Sequence, residues 1–259
     1  MPNENAIPEH SIGVMAGPPP SILSPSQLPV RTARQHLGID QLENIWAAFG
    51  HSIRLGVRPN ETFDIHFDRG ELMDPYRWAK PCLQAFLKSA RQWIERKGYQ
   101  TAYVWVLENR GDGEGHGIHA HVLIYVPEAI CTRFHQLKPR WARKAGLNMA
   151  IADVIERKTL PTVKAAKGKL KYISKDLDPR WWHLFEDCTG RVHLDDRNKP
   201  SDQPIYGKKC GVSRNIDAKA RSSYQGQHIT AAVEGLSSGR MGQGFSKIEA
   251  DIHSAGLAA

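Results

Sequence analysis

The segment Val104–Pro127, VWVLENRGDGEGHGIHAHVLIYVP, contains two apolar runs separated by a glycine-rich polar stretch. The Asp and Gly residues between the runs suit a turn or flexible loop, so the segment predicts two antiparallel neighbouring strands. His119 and His121 alternate into the second run, at positions where a half-buried strand would ordinarily carry Val or Ile. The pattern indicates that this strand serves a purpose beyond packing.

Alternate residues of a strand project to the same face, so His119 and His121 stand side by side, about 7 Å apart along the backbone. Glu108 ends the preceding strand, and its carboxylate reaches the same face if the two strands pair. Two imidazoles and one carboxylate leave open positions on a divalent ion for a phosphate oxygen. A strand histidine is more often structural than a ligand, and that alternative stays open; His116, in the loop, is expected to be solvated.

A second constellation lies in KLKYISKDL, Lys169–Leu177, where Tyr172 and Lys175 would share one face of a helix. A tyrosine phenol is a poor nucleophile at neutral pH, since its unperturbed pKa is about 10. A metal polarising a phosphate, with Lys175 favouring the phenolate or offsetting transition-state charge, would overcome that weakness. The two constellations together predict phosphoryl-transfer chemistry.

The surrounding elements fit a mixed domain. TFDIHFD, Thr62–Asp68, alternates with period two and predicts a strand. Apolar residues at helical spacing predict a helix that begins after Asp74–Pro75 and ends at Gly98. A second helix is expected over 132–146, interrupted near Pro139.

The amino-acid composition indicates which kinds of partner the protein binds. Lys and Arg total 35 against 27 Asp and Glu, a formal net charge of +8, which favours nucleic acid over an anionic membrane surface. The four cysteines form no CxxC pair, so spacing indicates neither a zinc knuckle nor a disulfide framework, and they are expected to be cytoplasmic thiols. No stretch of about 18 apolar residues occurs, and we expect a soluble cytoplasmic protein with no membrane partner.

The chain is expected to divide into three parts. Residues 1–30, rich in Pro, Ser and Gly, predict a disordered leader, and 228–259 predict a flexible tail. The folded domain is expected over 31–227, including a basic C-terminal extension. Phosphate contacts are predicted in two basic stretches, and the candidate residues are Lys164, Lys167, Lys169, Lys171, Lys208, Lys209 and Arg214.

GIHAHVLIYVP followed some fifty residues later by YISK resembles the HUH endonucleases of rolling-circle replication, in which a His-hydrophobic-His strand precedes a Tyr-x-x-Lys motif. The resemblance covers about Thr62–Leu177 and is closest to the single-tyrosine replication initiators. It implies an α+β fold, a central antiparallel sheet with flanking helices in a ferredoxin-like or RRM-like topology. It also implies that Glu108 is the third metal ligand, beside His119 and His121, and that Tyr172 is the catalytic nucleophile, assisted by Lys175.

The resemblance fails at the first motif, where the family usually has Phe-x-Thr-x-Thr and this chain has FDIHF. We therefore expect Asp64 and His66 to have a structural or DNA-contacting role rather than to bind the metal. Trp181 and Trp182 could pack in the core or contact DNA, and the role of the segment 181–227 stays open.

The implied activity is metal-dependent nicking and joining of single-stranded DNA, at an origin or hairpin, through a 5′-phosphotyrosine. The metal is expected to be Mg²⁺ or Mn²⁺, and no nucleotide cofactor is required. The sequence has no GxxxxGK[ST] loop, so unwinding is expected from a host helicase or from supercoiling. The expected role is initiation of rolling-circle replication of a plasmid, phage or similar mobile element.

Three alternatives remain open. A mobilisation relaxase or a single-tyrosine transposase would use nearly the same residues, although such transposases usually have glutamine after the tyrosine, and Lys175 therefore favours an initiator. A protein of a different class, a non-catalytic single-stranded DNA-binding protein, would share the basic charge and would not need Tyr172.

Overall fold

The computed structural model describes residues 33–68, 75–109, 117–150, 153–181 and 205–223. The predicted leader, the 110–116 loop and the predicted tail lie outside the described residues. The strands are β1 (Ala33–Arg34), β2 (Glu61–His66), β3 (Tyr103–Asn109), β4 (Ile118–Ile124), β5 (Ile155–Thr159), β6 (Ile205–Tyr206) and β7 (Cys210–Val212). The helices are α1 (Ile39–Arg54), α2 (Pro75–Arg96), α3 (Glu128–Lys144), α4 (Val163–Ile173) and α5 (Ala218–Ser223).

The central sheet has five strands in the order β5-β2-β4-β3-β7, and every neighbouring pair is antiparallel. The segment from β2 to β5 runs strand, helix, strand, strand, helix, strand, which is the ferredoxin-like arrangement. The sequence prediction of an α+β fold with a central antiparallel sheet and flanking helices is confirmed. The pair β1 and β6 forms a separate two-stranded sheet.

Both faces of the sheet are covered because the strands carry apolar residues on each face. Phe63 and Ile65 of β2 share one buried cluster with residues of α2 and α3. Val104 and Val106 of β3 belong to a second buried cluster, with residues of α1 and α4. Alternation along each strand separates the two sets, since successive side chains project to opposite faces.

The helix boundaries follow from local signals. The Thr162 hydroxyl accepts a hydrogen bond from the backbone N–H of Ala165 at 3.1 Å and so caps the start of α4. The predicted end of α2 is confirmed, because Gly98 follows the helix with a positive φ of 82°.

The predicted interruption at Pro139 is wrong, because α3 continues through it to Lys144. Proline lacks the N–H of one helical hydrogen bond. Phe134 and Trp141 are buried on either side of it, and this packing keeps the helix intact. Among the described residues, no helix combines the length and the apolar character needed to cross a membrane.

Candidate active site

Three strands bring the candidate ligands together. In the sheet register Glu108 of β3 lies opposite His119 of β4, and His121 lies two residues further along the same face. On the other side of β4, Asp64 of β2 lies opposite His121, and His66 lies opposite His119. The period-two alternation therefore places all five side chains on one face of the sheet.

The triad formed by Glu108, His119 and His121 is compact and buried. Their exposed fractions are 0%, 6% and 3%. The Nε2 atom of His119 lies 3.4 Å from Oε2 of Glu108, and Nε2 of His121 lies 3.4 Å from Oε1. The potential ligand atoms all lie within 4.8 Å of one another, close enough to hold one metal ion.

The hydrogen bonding of the triad atoms is consistent with a metal site. Within the described part of the chain, both carboxylate oxygens of Glu108 and Nε2 of His121 are buried without a hydrogen bond that meets normal geometry. A buried polar atom left in that state costs free energy, and a cation held between these atoms would satisfy all three. The donor set, two imidazoles and one carboxylate, suits a divalent ion with open positions for substrate.

The second nitrogen of each histidine contacts an oxygen that fixes its ring. Nδ1 of His121 lies 2.5 Å from Oδ1 of Asp64, and Nδ1 of His119 lies 3.1 Å from the carbonyl oxygen of Gly117. If each Nδ1 carries the proton, each Nε2 has its lone pair directed at Glu108 and at the position of a metal. Metal-binding histidines usually show this arrangement.

Asp64 itself is held by Lys169 of α4. The ammonium nitrogen of Lys169 lies 3.0 Å from both carboxylate oxygens of Asp64. Burial opposes ionisation of Asp64, but the hydrogen bond with His121 and the charge of Lys169 lower the pKa of this carboxyl below its usual range. Asp64 is therefore a carboxylate that orients His121, and Lys169 joins it to the helix bearing Tyr172.

The pKa values of the triad residues likewise depend on the opposing effects of burial and of neighbouring charged groups. Burial alone would raise the pKa of Glu108, yet His121, His119 and Lys175 hold it well below its usual range. Burial would also lower the pKa of His119, and its contacts with Glu108 outweigh burial and raise it. Glu108 is therefore ionised at neutral pH and attracts a cation to this face of the sheet.

Tyr172, in the last turn of α4, lies directly beside the triad. Its ring meets the ring of His121 edge-on, with centroids 5.3 Å apart and an interplanar angle of 78°. The ammonium nitrogen of Lys175 lies 3.7 Å from the centroid of the Tyr172 ring and 3.2 Å from Oε2 of Glu108. Lys175 thus connects the tyrosine to the carboxylate of the triad.

Lys175 does not lie on the helix as the sequence spacing predicted. The helix α4 ends at Ile173, and a 3-10 turn follows over Ser174–Asp176. The hydroxyl of Ser174 accepts a hydrogen bond from the indole Nε1 of Trp46 at 3.0 Å and donates one to the Leu170 carbonyl at 2.8 Å. The turn is therefore fastened to α1, which the sequence pattern did not indicate.

The same turn is held by a buried ion pair between Asp176 and Lys209. Lys209 has an exposed fraction of 0%, and its ammonium group contacts the Asp176 carboxylate and the carbonyl oxygen of Gln35. The backbone N–H of Leu37 also donates to the Asp176 carbonyl at 2.8 Å. The segment after Tyr172 is thus anchored to Lys209, the residue before β7, and to Gln35 and Leu37 near the start of the described residues.

The residues predicted to contact phosphate differ in their exposure and in their ion pairs. Lys164, Lys208 and Arg214 are exposed, and Lys167 and Lys171 are partly buried. Lys169 and Lys209 instead have their ammonium groups against carboxylates, in ion pairs with Asp64 and Asp176. These two lysines are better placed to order the site than to contact DNA.

The remaining predictions have mixed outcomes. Asp64 and His66 are neighbours of the triad but do not belong to it. The ring of His66 stacks on the ring of His119, with centroids 5.6 Å apart. The Nε2 atom of His66 lies 3.2 Å from Oε1 of Glu156. Trp181 is partly buried against the core. His116 and Trp182 lie outside the described residues.

Residues 67–178 match the family model described as Replication-associated protein ORF2/G2P. The matched range contains the triad, Tyr172 and Lys175, and it covers less than half of the 259 residues. No curated protein and no solved structure gives a significant match to the chain. Over residues 67–178 the chain is similar to replication-associated proteins, which is consistent with a rolling-circle Rep-type protein.

Proposed function

We propose that the chain nicks and rejoins single-stranded DNA by tyrosine transesterification and thereby initiates rolling-circle replication of a mobile element. The observation that carries the proposal is the position of Tyr172, whose ring contacts His121 of a buried Glu-His-His triad and lies under the ammonium group of Lys175. The match to replication-associated proteins over the same residues supports the role in replication.

In the proposed reaction the Tyr172 oxygen attacks a phosphodiester phosphorus. A bond forms between that oxygen and phosphorus, the bond from phosphorus to the 3′-oxygen breaks, the phenol loses its proton, and the 3′-oxygen gains one. The products are a 5′-phosphotyrosine and a free 3′-hydroxyl. Because the phosphodiester energy is retained in the phosphotyrosine, rejoining reverses the step without a nucleotide cofactor.

Glu108, His119 and His121 would hold the divalent ion, for which Mg²⁺ and Mn²⁺ are the proposed candidates. When bound, such an ion supplies Lewis-acid polarisation of a phosphate oxygen. Asp64 keeps the imidazole of His121 oriented with Nε2 towards the triad. These residues would fix the position of the phosphate relative to Tyr172, and positioning of this kind contributes a large part of rate enhancement.

Lys175 provides positive charge at the nucleophile. A cation over the face of an aromatic ring is attracted to it, and a nearby positive charge favours the phenolate over the phenol. The exposed fraction of the Lys175 side chain is 1%, so water screens this charge little. Lys175 would therefore help Tyr172 to attack and would offset the charge that develops on the phosphate.

The DNA strand is proposed to follow the basic residues of α4 and of the segment after β6. Lys164, Lys167, Lys171, Lys208 and Arg214 are the proposed phosphate contacts. Contacts of this kind bind without regard to sequence and weaken with salt. We assign this activity to residues 31–227, with 1–30 and 228–259 as accessory segments.

The proposal is tested by the polarity of the cut. Single-stranded DNA carrying hairpins is incubated with the protein and Mn²⁺, and the products are offered to a DNA polymerase. We expect fragments with an extendable 3′-hydroxyl, and we expect none from Tyr172→Phe, while Tyr99→Phe at an exposed tyrosine cleaves normally. Equal activity in Tyr172→Phe would contradict the assignment, and DNA binding with no cleavage by any form would favour a non-catalytic binding protein.

A further inference from the structure

A second cluster of metal-ligating side chains lies on the opposite face of the sheet from the triad. Glu61 begins β2 on the face that packs against α2 and α3, and Cys131 and His135 lie one turn apart on α3. The ligand atoms of these three residues lie within 4.8 Å of one another. The proposed nicking reaction does not use them.

The distances within this cluster are close to those of a tetrahedral zinc site. Sγ of Cys131 lies 3.3 Å from Nε2 of His135 and 3.8 Å from Oε1 of Glu61, and His135 Nε2 lies 3.6 Å from the same oxygen. Ligands bonded to zinc at 2.0–2.3 Å in a tetrahedron are separated from one another by roughly 3.3–3.6 Å. Shifts of a few tenths of an ångström would bring the three ligand atoms to three corners of such a tetrahedron.

The supporting elements hold these side chains in place. Residues four apart on a helix share one face, so α3 presents Cys131 and His135 together. Arg157 donates from Nε to Oε2 of Glu61 at 2.7 Å and from Nη2 to Oε1 at 2.6 Å. A carboxylate oxygen has two lone pairs, so Oε1 can accept from Arg157 and also bind a cation.

The local chemistry selects the kind of cation. A thiol, an imidazole and a carboxylate together suit zinc, whereas Mg²⁺ and Ca²⁺ prefer oxygen ligands alone.

We propose that Glu61, Cys131 and His135 form a zinc site whose fourth position is open to water. The site would link α3 to β2. The side chains of Cys131 and His135 are only partly buried, which gives a cation access from solvent. This site is independent of the triad on the other face and of the proposed nicking reaction.

The test uses Co²⁺ as a spectroscopic substitute for zinc in the full-length, reduced and metal-free protein. A thiolate bound to Co²⁺ gives an intense near-ultraviolet charge-transfer band, which a site made of Glu108, His119 and His121 cannot produce. We expect the band to saturate as Co²⁺ is added, to disappear on addition of Zn²⁺, and to be absent in Cys131→Ser. His135→Gln should weaken cobalt binding at this site at least tenfold, and Cys210→Ser, at a cysteine packed on the other face of the sheet, should leave the band unchanged.

Absence of the band from the folded wild-type protein would overturn the proposal. Retention of the band in Cys131→Ser would do the same, because the thiolate would then come from another cysteine. Circular dichroism of each metal-free variant establishes that it is folded before the titration. Tyr172→Phe should abolish DNA cleavage and leave the cobalt band in place. The band therefore tests the zinc site, and cleavage separately tests the proposed function.

Discussion

Replacing Lys209 by methionine should destabilise the protein strongly. The ammonium group of Lys209 is fully buried and pairs with the carboxylate of Asp176, whose side chain is also fully buried. Methionine has a similar volume and no charge, so the substitution leaves the Asp176 carboxylate buried without the ammonium group of Lys209. Breaking a buried ion pair by removing one partner costs roughly 3–5 kcal/mol.

This cost corresponds to a large thermal shift. At roughly 2–4 °C per kcal/mol for a domain of this size, the midpoint of thermal unfolding should fall by about 6–20 °C. The assay is thermal unfolding followed by circular dichroism, repeated in urea. Lys208→Met is the matched control, because Lys208 is exposed and its loss should change the free energy of unfolding by no more than about 0.5 kcal/mol.

A double variant separates the ion pair from simple packing. Lys209→Met combined with Asp176→Leu removes both charges, and buried pairs replaced in this way by apolar residues are often close to neutral. The double variant should therefore recover a large part of the stability that Lys209→Met loses. A loss in Lys209→Met no greater than that in Lys208→Met would refute the argument.

Three further substitutions test the site, the sheet and α4. Asp64→Asn removes the charge that orients His121 and should weaken metal binding at the triad by about 10–100-fold, measured by isothermal titration with Mn²⁺; an unchanged affinity would contradict the positioning role. Gly211→Ala would place a methyl group 2.7 Å from the ring of Trp105 and should lower the free energy of unfolding by about 1–3 kcal/mol. Gly168→Ala, inside α4, would place a methyl group where nothing lies within 4 Å and should raise the free energy of unfolding by about 0.5–1 kcal/mol. Both glycine variants are measured by urea unfolding, and similar effects of the two would contradict the predicted clash.

Alternation in the sequence predicted much of the site, because a strand's period of two depends on backbone geometry alone. The pattern from Val104 to Pro127 indicated the antiparallel pair β3 and β4, and it placed Glu108 on the same face as His119 and His121. The alternation of Thr62–Asp68 also put Asp64 on one face of its strand. Its contact with His121 required knowledge that β2 pairs with β4, which the spacing of residues could not supply.

The charged pairs were beyond prediction because their partners are distant in sequence. Lys169 lies 105 residues from Asp64, and Lys209 lies 33 residues from Asp176. In the sequence both lysines belong to basic stretches that resemble a DNA-contacting surface. Tertiary packing turns them inward, and net charge carries no information about that choice.

The turn after α4 shows a similar limit. Helical spacing predicted that Tyr172 and Lys175 lie together, and they do, but only Tyr172 is on α4. Lys175 lies in the 3-10 turn that follows, which tertiary contacts fix. Pro139 gives the opposite case, because a local signal for an interruption is overridden by burial of the residues on both sides. Local patterns predicted the elements more reliably than their exact ends.

The most direct test of the account maps the residue that becomes attached to DNA. The protein is incubated with a pool of hairpin-bearing single-stranded DNA in the presence of Mn²⁺, denatured in detergent and digested, and the DNA-linked peptide is identified by mass spectrometry. We predict one modified peptide, linked through Tyr172, that is absent when metal is chelated and absent in Tyr172→Phe. A link through another residue, or an adduct on Tyr172 that forms equally well with the metal chelated, would contradict it.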